Sequence, residues 1–339
     1  MGVDGTVKAS VIIPTRNRAN VLARCLESLT RQTLPAEAFE VLVIDNGSTD
    51  HTPDVTRRYA FSLQLTYACA PEPGLHVGRH EGLRQAKSDV LMFADDDIQA
   101  EADWVETVVK TFENPNVALV GGNNYPLFET QPPEWLMHRW KKPVYKGRAL
   151  DSLSILDFGE GVFEIDPGYV WGCNYSIKKG VLLKAGGFHP DGMPKECLRF
   201  RGDGETHVSD VVRSSGHRAI FNSRASVWHL VAQNRMTRTH FEQRAYAQGI
   251  SDSYTAIRLS GGLKTSWTLK VRRKLCPLRP TLRTLIQFAM NMGNSVEREL
   301  CAVQLSAAIA YCKGYEFHRR EVSADPALLK WALKKDYLE

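Results

Sequence analysis

An acidic triplet, Asp95-Asp96-Asp97, is the strongest chemical signal in the sequence. It directly follows the apolar run Val90–Ala94, which has the length and composition of a strand buried on both faces. Carboxylates at the end of such a strand need a counter-charge, because ionised groups are rarely buried without a partner. A hard divalent cation suits these oxygen ligands, so the triplet predicts a metal site, with a solvated acidic turn as the plain alternative.

Other strand-like runs also end in polar side chains. Thr15, Arg16 and Arg18 follow the first run, and Asp45 ends the second. Guanidinium groups offer forked donors to phosphates, and a carboxylate at Asp45 can accept N–H groups of a base or hydroxyls of a ribose. Together with a cation, these groups indicate a nucleoside diphosphate. The P-loop pattern GxxxxGK[ST] and a GxGxxG after a strand are both missing, which argues against P-loop enzymes and ordinary dinucleotide dehydrogenases.

Strand-like and helix-like segments alternate through the first 125 residues, which predicts a mostly parallel α/β sheet flanked by helices. Ligands of such sheets bind beyond the carboxyl ends of the strands, so the polar residues named above should converge on one crevice. The predicted strands are 9–14, 39–45, 63–68, 90–94 and 117–122, and the predicted helices cover about 20–29, 78–86 and 102–112.

The later part of the chain has a weaker pattern. Residues 123–165 show no clear period and contain several prolines and aromatic residues, which predicts a long irregular segment. A strand over 169–171, helices over 178–185 and 210–215, and edge strands over 218–221 and 226–229 follow. From about residue 238 the pattern becomes helical, with predicted helices over 241–258, 281–292 and 296–315.

The composition is that of a globular protein with 339 residues, of which 43% are hydrophobic and 24% charged. No N-terminal segment looks like a signal peptide, and the seven cysteines show no CxxC spacing, so we expect a cytoplasmic location. Seven basic residues and no acid lie in 264–283. This run suggests peripheral contact with the inner face of a membrane, although a solvated basic face is the simpler interpretation. It lacks the interleaved aromatic residues of a nucleic-acid platform, so no nucleic-acid partner is predicted.

Three ordered motifs resemble family 2 glycosyltransferases of the GT-A fold: Val11–Asn17, Val43–Asp50 and Phe93–Asp97. Downstream, Gly172-Cys173-Asn174 with Gly186-Gly187-Phe188, the segment Gly202–Glu205 and Val227-Trp228-His229 are similar to later motifs of that family. The resemblance covers about residues 8–232. It implies a GT-A catalytic domain over 1–232, with a nucleotide-binding half (8–125) and an acceptor half (126–232), followed by a C-terminal helical region over 233–339.

The resemblance also implies roles for individual residues. The donor-binding residues would be Pro14, Thr15, Arg16, Asp45, Arg79, Asp95, Asp96 and Asn174, with Asp45 at the base and Asp96 turned away by strand alternation. The metal ligands would be Asp97, Asp95 and His229. Carboxylates with an imidazole suit Mn²⁺, and Mg²⁺ would also serve. The segment around Arg79 departs from the family pattern, because His80 replaces the usual asparagine.

The implied reaction is a single displacement with inversion, in which a carboxylate removes the proton of the acceptor hydroxyl. The family has adjacent Glu-Asp at this point, whereas this chain has Asp203 and Glu205 separated by Gly204. Counting back from Gly216 favours Glu205 as the base, with Asp203 as the other candidate. The donor would be a UDP, dTDP or GDP sugar, and the acceptor a glycan, a lipid-linked intermediate or a small molecule.

Two other functions fit parts of the same pattern. A sugar-phosphate nucleotidyltransferase would share the sheet and the metal, but it would normally carry a glycine-rich basic loop after the first strand, and Pro14–Arg18 lacks the glycines. A non-catalytic nucleotide-sugar-binding module is the third reading. The intact acidic triplet and the pair Asp203 and Glu205 argue against it.

Overall fold

The computed structural model describes residues 7–263 and 294–338. The basic run 264–283 and the predicted helix 281–292 lie outside the described residues. The described strands are β1 (Ala9–Thr15), β2 (Phe39–Asp45), β3 (Gln64–Cys69), β4 (Val90–Ala94), β5 (Ile98–Ala100), β6 (Val117–Gly121), β7 (Asn124–Phe128), β8 (Arg148–Leu150), β9 (Ile155–Asp157), β10 (Val162–Glu164), β11 (Asn174–Lys178), β12 (Arg218–Asn222) and β13 (Val227–Val231).

Helices cover both faces of the larger sheet and form most of the C-terminal region. They are α1 (Ala19–Leu29), α2 (Thr52–Tyr59), α3 (Leu75–Gln85), α4 (Trp104–Thr111), α5 (Glu134–Trp140), α6 (Lys179–Lys184), α7 (Thr206–Ser214), α8 (Arg238–Leu259), α9 (Ser295–Ala324) and α10 (Pro326–Ala332). In the described part of the chain, no helix combines the length and apolar character needed to cross a bilayer.

An eight-stranded sheet forms the centre of the molecule, in the order β10-β12-β6-β11-β4-β1-β2-β3. Strands β1, β2 and β4 are parallel and buried on both faces, as their continuous apolar runs predict. Alternate residues feed two cores. Val11 and Ile13 pack with α1 and α4 on one side, whereas Ile12 packs with α3, α6 and α7 on the other. The predicted α/β sheet flanked by helices is therefore confirmed.

Strand β11 is the main departure from a parallel sheet. It lies between β4 and β6 and is antiparallel to both, with Asn174 opposite Ala94. The predicted strand at 169–171 was wrong, because residues 167–169 form a 3₁₀ turn and the strand begins five residues later than expected. The turn is held by the Asp166 carboxylate, which accepts a hydrogen bond from the Gly168 amide.

A second sheet, in the order β5-β13-β7-β9-β8, corrects two further predictions. The segment 123–165 is not irregular, because it contains β7 to β10 and α5. The supposed edge strands are interior: β13 lies between β5 and β7, and β12 lies between β10 and β6. These strands have three to five residues, which is too short for a clear alternation in the sequence.

The long helices α8 and α9 pack together at two glycines. A Cβ on Gly249 would lie 2.0 Å from the Tyr311 carbonyl oxygen, and a Cβ on Gly314 would lie 2.0 Å from the Tyr246 carbonyl oxygen. Each glycine thus lets one helix backbone approach the other. The helical character predicted for 241–258 and 296–315 is confirmed, with longer bounds in the structure. The domain boundary at residue 232 stays a prediction.

We expect Gly249→Ala to destabilise the protein, because the methyl group meets backbone that has little room to move. Forced overpacking of this kind lowers the free energy of unfolding by about 1–3 kcal/mol. Urea unfolding followed by circular dichroism measures the change. Gly180→Ala in α6 is the matched control, because nothing lies within 4 Å of a Cβ there. Equal stability of the Gly249→Ala and Gly180→Ala proteins would contradict the close helix contact.

Candidate active site

The acidic triplet lies where the two sheets meet. Asp95 and its neighbours follow β4 in the first sheet, and the chain then enters β5 of the second sheet. Strand β13 pairs with β5 so that His229 stands opposite Ile98, and the Leu230 amide donates to the Asp97 carbonyl at 2.9 Å. This pairing brings a histidine 132 residues downstream in the sequence next to the triplet.

Asp95, Asp97 and His229 form a group that could hold a metal ion, because one ligand atom of each lies within 4.8 Å of the others. The Nε2 atom of His229 is 3.3 Å from Oδ1 of Asp97. That Oδ1 atom is buried and makes no hydrogen bond within the described residues. Because a buried carboxylate oxygen normally has a partner, a cation between these side chains fits the site.

The other oxygen of Asp97 faces two arginines. Its Oδ2 atom lies 2.8 Å from an Arg18 nitrogen and 3.5 Å from an Arg235 nitrogen. Burial by itself would raise the pKa of Asp97, but His229 and Arg18 together hold it below its usual value. Asp97 is therefore a carboxylate at neutral pH, as a metal ligand must be.

Asp96 points away from this group, as the strand alternation predicts. One of its oxygens accepts a hydrogen bond from the Thr15 hydroxyl at 2.7 Å, and the other pairs with Arg18 at 2.8 Å. Burial raises the pKa of Asp96 to about 7, even though Arg18 opposes this change. Asp96 and Thr15 thus hold the end of β4 against the end of β1, and a direct contact of either side chain with a donor stays a prediction.

The remaining donor residues of the first sheet differ in exposure. Asp45 is buried, and its oxygens accept from the Ser48 amide at 2.7 Å and the Tyr67 hydroxyl at 2.6 Å. Pro14 is also buried, whereas Arg16, directly after β1, is exposed. Tyr67 lies on β3 two residues before its end, and sequence reasoning did not single it out.

Arg79 connects the metal group to the candidate base. Its side chain is only 2% exposed, and its nitrogens lie 3.6 Å from Asp95, 3.3 Å from Asp191 and 3.6 Å from Glu205. A Cβ on Gly172 would lie 2.3 Å from the same guanidinium, so a larger residue there would displace Arg79. Arg79 is therefore a buried residue that orients carboxylates, and its predicted contact with the donor stays a prediction.

The two candidate bases have different surroundings. Glu205 is 28% exposed, and one of its oxygens accepts from the Gly172 amide at 3.2 Å. Asp203 is 7% exposed, and its oxygens are taken by His189 Nδ1 and the Thr255 hydroxyl, each at 2.5 Å. Glu205 is thus the more accessible of the two carboxylates, and its assignment as the base stays a prediction.

Asn174 is buried, and its predicted role in donor binding stays a prediction. Its Oδ1 atom accepts from the Trp104 indole at 3.0 Å, and its amide nitrogen donates to the Ala225 carbonyl at 2.9 Å. Both ends of the amide are thus used within the protein core. In this structure Asn174 joins the antiparallel strand β11 to α4 and to the loop before β13.

Besides Tyr67, four residues of the site escaped the sequence reasoning: Asp191, His189, Arg235 and Thr255. The first two follow the Gly186-Gly187-Phe188 motif, but no strand or helix signal surrounds them. Arg235 comes six residues after His229, and a search for basic residues near the late histidine could have found it. Thr255 lies on the predicted helix 241–258, but no motif singles out this residue.

Comparison with known proteins finds glycosyltransferases. The family model for glycosyl transferase family 2 matches residues 10–163. A validoxylamine A glucosyltransferase from Streptomyces hygroscopicus subsp. jinggangensis is 33% identical over 198 residues, which are 54% of this chain and 47% of that protein. The chain thus spans about half the length of this relative. A glucosyl-dolichyl phosphate glucuronosyltransferase from Haloferax volcanii is 28% identical over 252 residues, which are 72% of this chain and 76% of that protein.

A solved structure agrees in fold. The mannosyltransferase PcManGT from Pyrobaculum calidifontis, solved in complex with GDP-Man and Mn²⁺, superposes with a TM-score of 0.52 at 18% sequence identity. The superposition covers 95% of this chain and 76% of that chain. At this level of identity the similarity concerns the arrangement of strands and helices.

Proposed function

Because residues 10–163 place the chain in glycosyl transferase family 2 and its fold is that of the GT-A glycosyltransferases, we propose that it moves a sugar from a nucleotide-diphosphate sugar to an acceptor hydroxyl. The arrangement around Arg79 carries this proposal. One buried guanidinium lies 3.6 Å from Asp95 of the metal group and 3.6 Å from Glu205. The metal group could therefore bind a leaving diphosphate while Glu205, on the other side of Arg79, accepts the proton of an attacking hydroxyl.

The metal would be held by Asp95, Asp97 and His229, and these ligands suit Mn²⁺ or Mg²⁺. When bound, a divalent cation neutralises the charge that builds on a leaving diphosphate. Arg18 and Arg235 stand beside Asp97 and add positive charge on the same side. The exposed Arg16 is proposed to bind the donor diphosphate, and Asp45 is proposed to contact the nucleobase.

The acceptor hydroxyl would approach Glu205, which removes its proton as the oxygen attacks the anomeric carbon. Attack from the side opposite the leaving group inverts the configuration of that carbon. The Gly172 amide and Arg79 orient the Glu205 carboxylate, and its 28% exposure leaves it accessible to an acceptor hydroxyl. A base held this way contributes a factor of about 10²–10⁴ to the rate.

A panel of nucleotide sugars tests the donor side. We expect nucleotide sugars of one of the three classes, UDP, dTDP or GDP, to raise the thermal unfolding temperature of the protein in the presence of Mn²⁺. The reason is that a ligand that binds only the folded state stabilises it. The same donors should hydrolyse slowly only with the metal. Equal shifts and rates in EDTA would contradict the metal role. Release of pyrophosphate from a nucleoside triphosphate and a sugar 1-phosphate would show a nucleotidyltransferase instead.

A cytoplasmic location and contact of 264–283 with a membrane surface remain predictions from the sequence. The acceptor is proposed to be a glycan, a lipid-linked intermediate or a small molecule, each of which has a hydroxyl that Glu205 could deprotonate.

A further inference from the structure

One face of α8 is hydrogen-bonded to the predicted catalytic domain. His240 Nε2 is 3.1 Å from the Ser152 carbonyl oxygen, the Ser251 hydroxyl donates to the Gly202 carbonyl at 2.7 Å, and the Thr255 hydroxyl donates to Asp203. Positions 240, 251 and 255 fall on one side of a helix with 3.6 residues per turn. Position 244 falls on the same side, yet Arg244 is exposed. Its side chain therefore faces open space between the hydrogen-bonded residues 240 and 251.

Two more arginines border that space. Arg201 donates through Nε to the Ser251 hydroxyl at 3.2 Å, and Arg235 lies beside Asp97 on the metal side. Burial lowers the pKa of both Arg201 and Arg235, and the positive charge of Arg244 lowers each of them further. The negative charge of Asp191, and to a smaller extent that of Glu205, raises the pKa of Arg201 in the opposite direction. Arg244 is thus within electrostatic range of both, with Arg201 on the side of the base.

Neither Arg201 nor Arg244 forms an ion pair with a carboxylate in residues 7–263 and 294–338. The rest of the sequence adds only two acidic residues, Asp4 and Glu339. Arg201 is half-buried, and the two carboxylates that act on it, those of Asp191 and Glu205, already pair with Arg79. A half-buried guanidinium without an ion pair of its own, within electrostatic range of the exposed Arg244, is typical of a site whose counter-charge arrives with a ligand.

We infer that Arg201 and Arg244 form a subsite for a phosphate group carried by the acceptor, next to Glu205. This rests on the proposed transfer reaction. The donor diphosphate belongs at the other end, where the metal group, Arg18 and Arg235 supply positive charge. A phosphate monoester carries the double negative charge that two arginines match, and guanidinium forks bind it through paired N–H groups. Its neighbouring hydroxyl would then be presented to Glu205.

Equilibrium dialysis with labelled inorganic phosphate tests this subsite. Pyrophosphate with Mn²⁺ is added at saturation to occupy the donor end without assuming a base. We expect the wild-type protein to bind one phosphate under these conditions. Arg244→Gln and Arg201→Gln should each weaken phosphate binding by about 10-fold or more, because hydrogen bonds to charged groups are worth about 1.5–3 kcal/mol. Binding of Mn²⁺-pyrophosphate should change less than twofold in either variant.

Arg238→Gln is the matched control, because Arg238 lies on the opposite side of the same helix and pairs with Glu242 at 3.0 Å. It should bind phosphate like the wild type. Displacement of phosphate by Mn²⁺-pyrophosphate, or equal weakening of both ligands in Arg244→Gln, would overturn the inference and assign the arginines to the donor. Equal weakening in Arg238→Gln would also overturn it. Competition by glycerol 3-phosphate or by phosphatidic acid vesicles tells a soluble phosphate carrier from a lipid.

The outcome for the proposed function is separate. A wild-type protein that binds phosphate through Arg244 but hydrolyses no nucleotide sugar would overturn the transfer reaction and support the anion subsite alone. Metal-dependent donor hydrolysis without any phosphate binding would leave the transfer reaction standing and overturn the inference.

Discussion

We expect Glu205→Gln to lower kcat/KM for sugar transfer by about 10²–10⁴-fold, the contribution of a positioned general base. The substitution keeps the size of the side chain and its acceptor oxygen for the Gly172 amide, so the fold should be unchanged. What it removes is the group that takes the proton. Initial rates with the donor found by the panel, together with circular dichroism of the variant, measure the effect.

Asp203→Asn is the matched control for that substitution. Asp203 has both oxygens engaged by His189 and Thr255, away from the open crevice. Its replacement should lower the free energy of unfolding by about 1–3 kcal/mol, the effect of breaking a buried hydrogen-bonded group. Turnover per folded molecule should stay within about 10-fold of the wild type, below the loss of a base. A folded Asp203→Asn protein as inactive as Glu205→Gln would show that the base assignment is wrong.

The second large effect is expected from Asp97→Asn, which should abolish metal binding and lower transfer by at least about 100-fold, because a catalytic metal supplies several kcal/mol of transition-state stabilisation. The amide keeps the shape of the side chain but loses the charge that faces His229 and Arg18. Free Mn²⁺ followed by electron paramagnetic resonance gives the affinity. Removal of metal by EDTA should reproduce the loss of activity in the wild type.

Asp96→Asn provides the comparison within the same triplet. Its carboxylate binds Thr15 and Arg18 and points away from the metal group. We expect its Mn²⁺ affinity to fall by no more than about 10–100-fold, the usual effect of changing a group that only orients a metal ligand, and to stay above that of Asp97→Asn. If Asp96→Asn lost Mn²⁺ as completely as Asp97→Asn, the metal would lie elsewhere along the triplet.

The first half of the fold could be predicted because its strands have clear sequence patterns. Strands β1, β2 and β4 are buried on both faces, so their sequences are continuous apolar runs whose ends fall within a residue of those predicted. Parallel strands place their carboxyl ends at one edge, and this alone brings Thr15, Asp45 and Asp95 together. The second sheet gave no such signal, since its strands are short and partly exposed.

Local apolar runs and motif spacing were enough to predict the nucleotide-binding edge, the acidic triplet and the glycosyltransferase resemblance. The surroundings of the individual residues came from the tertiary structure. It buries Arg79 among three carboxylates, and it gives Asp203 and Glu205 different hydrogen-bond partners. Strand pairing brought His229 to Asp97, and helix packing brought Thr255 of α8 to Asp203. These are contacts between residues far apart in the chain, so no local pattern encodes them.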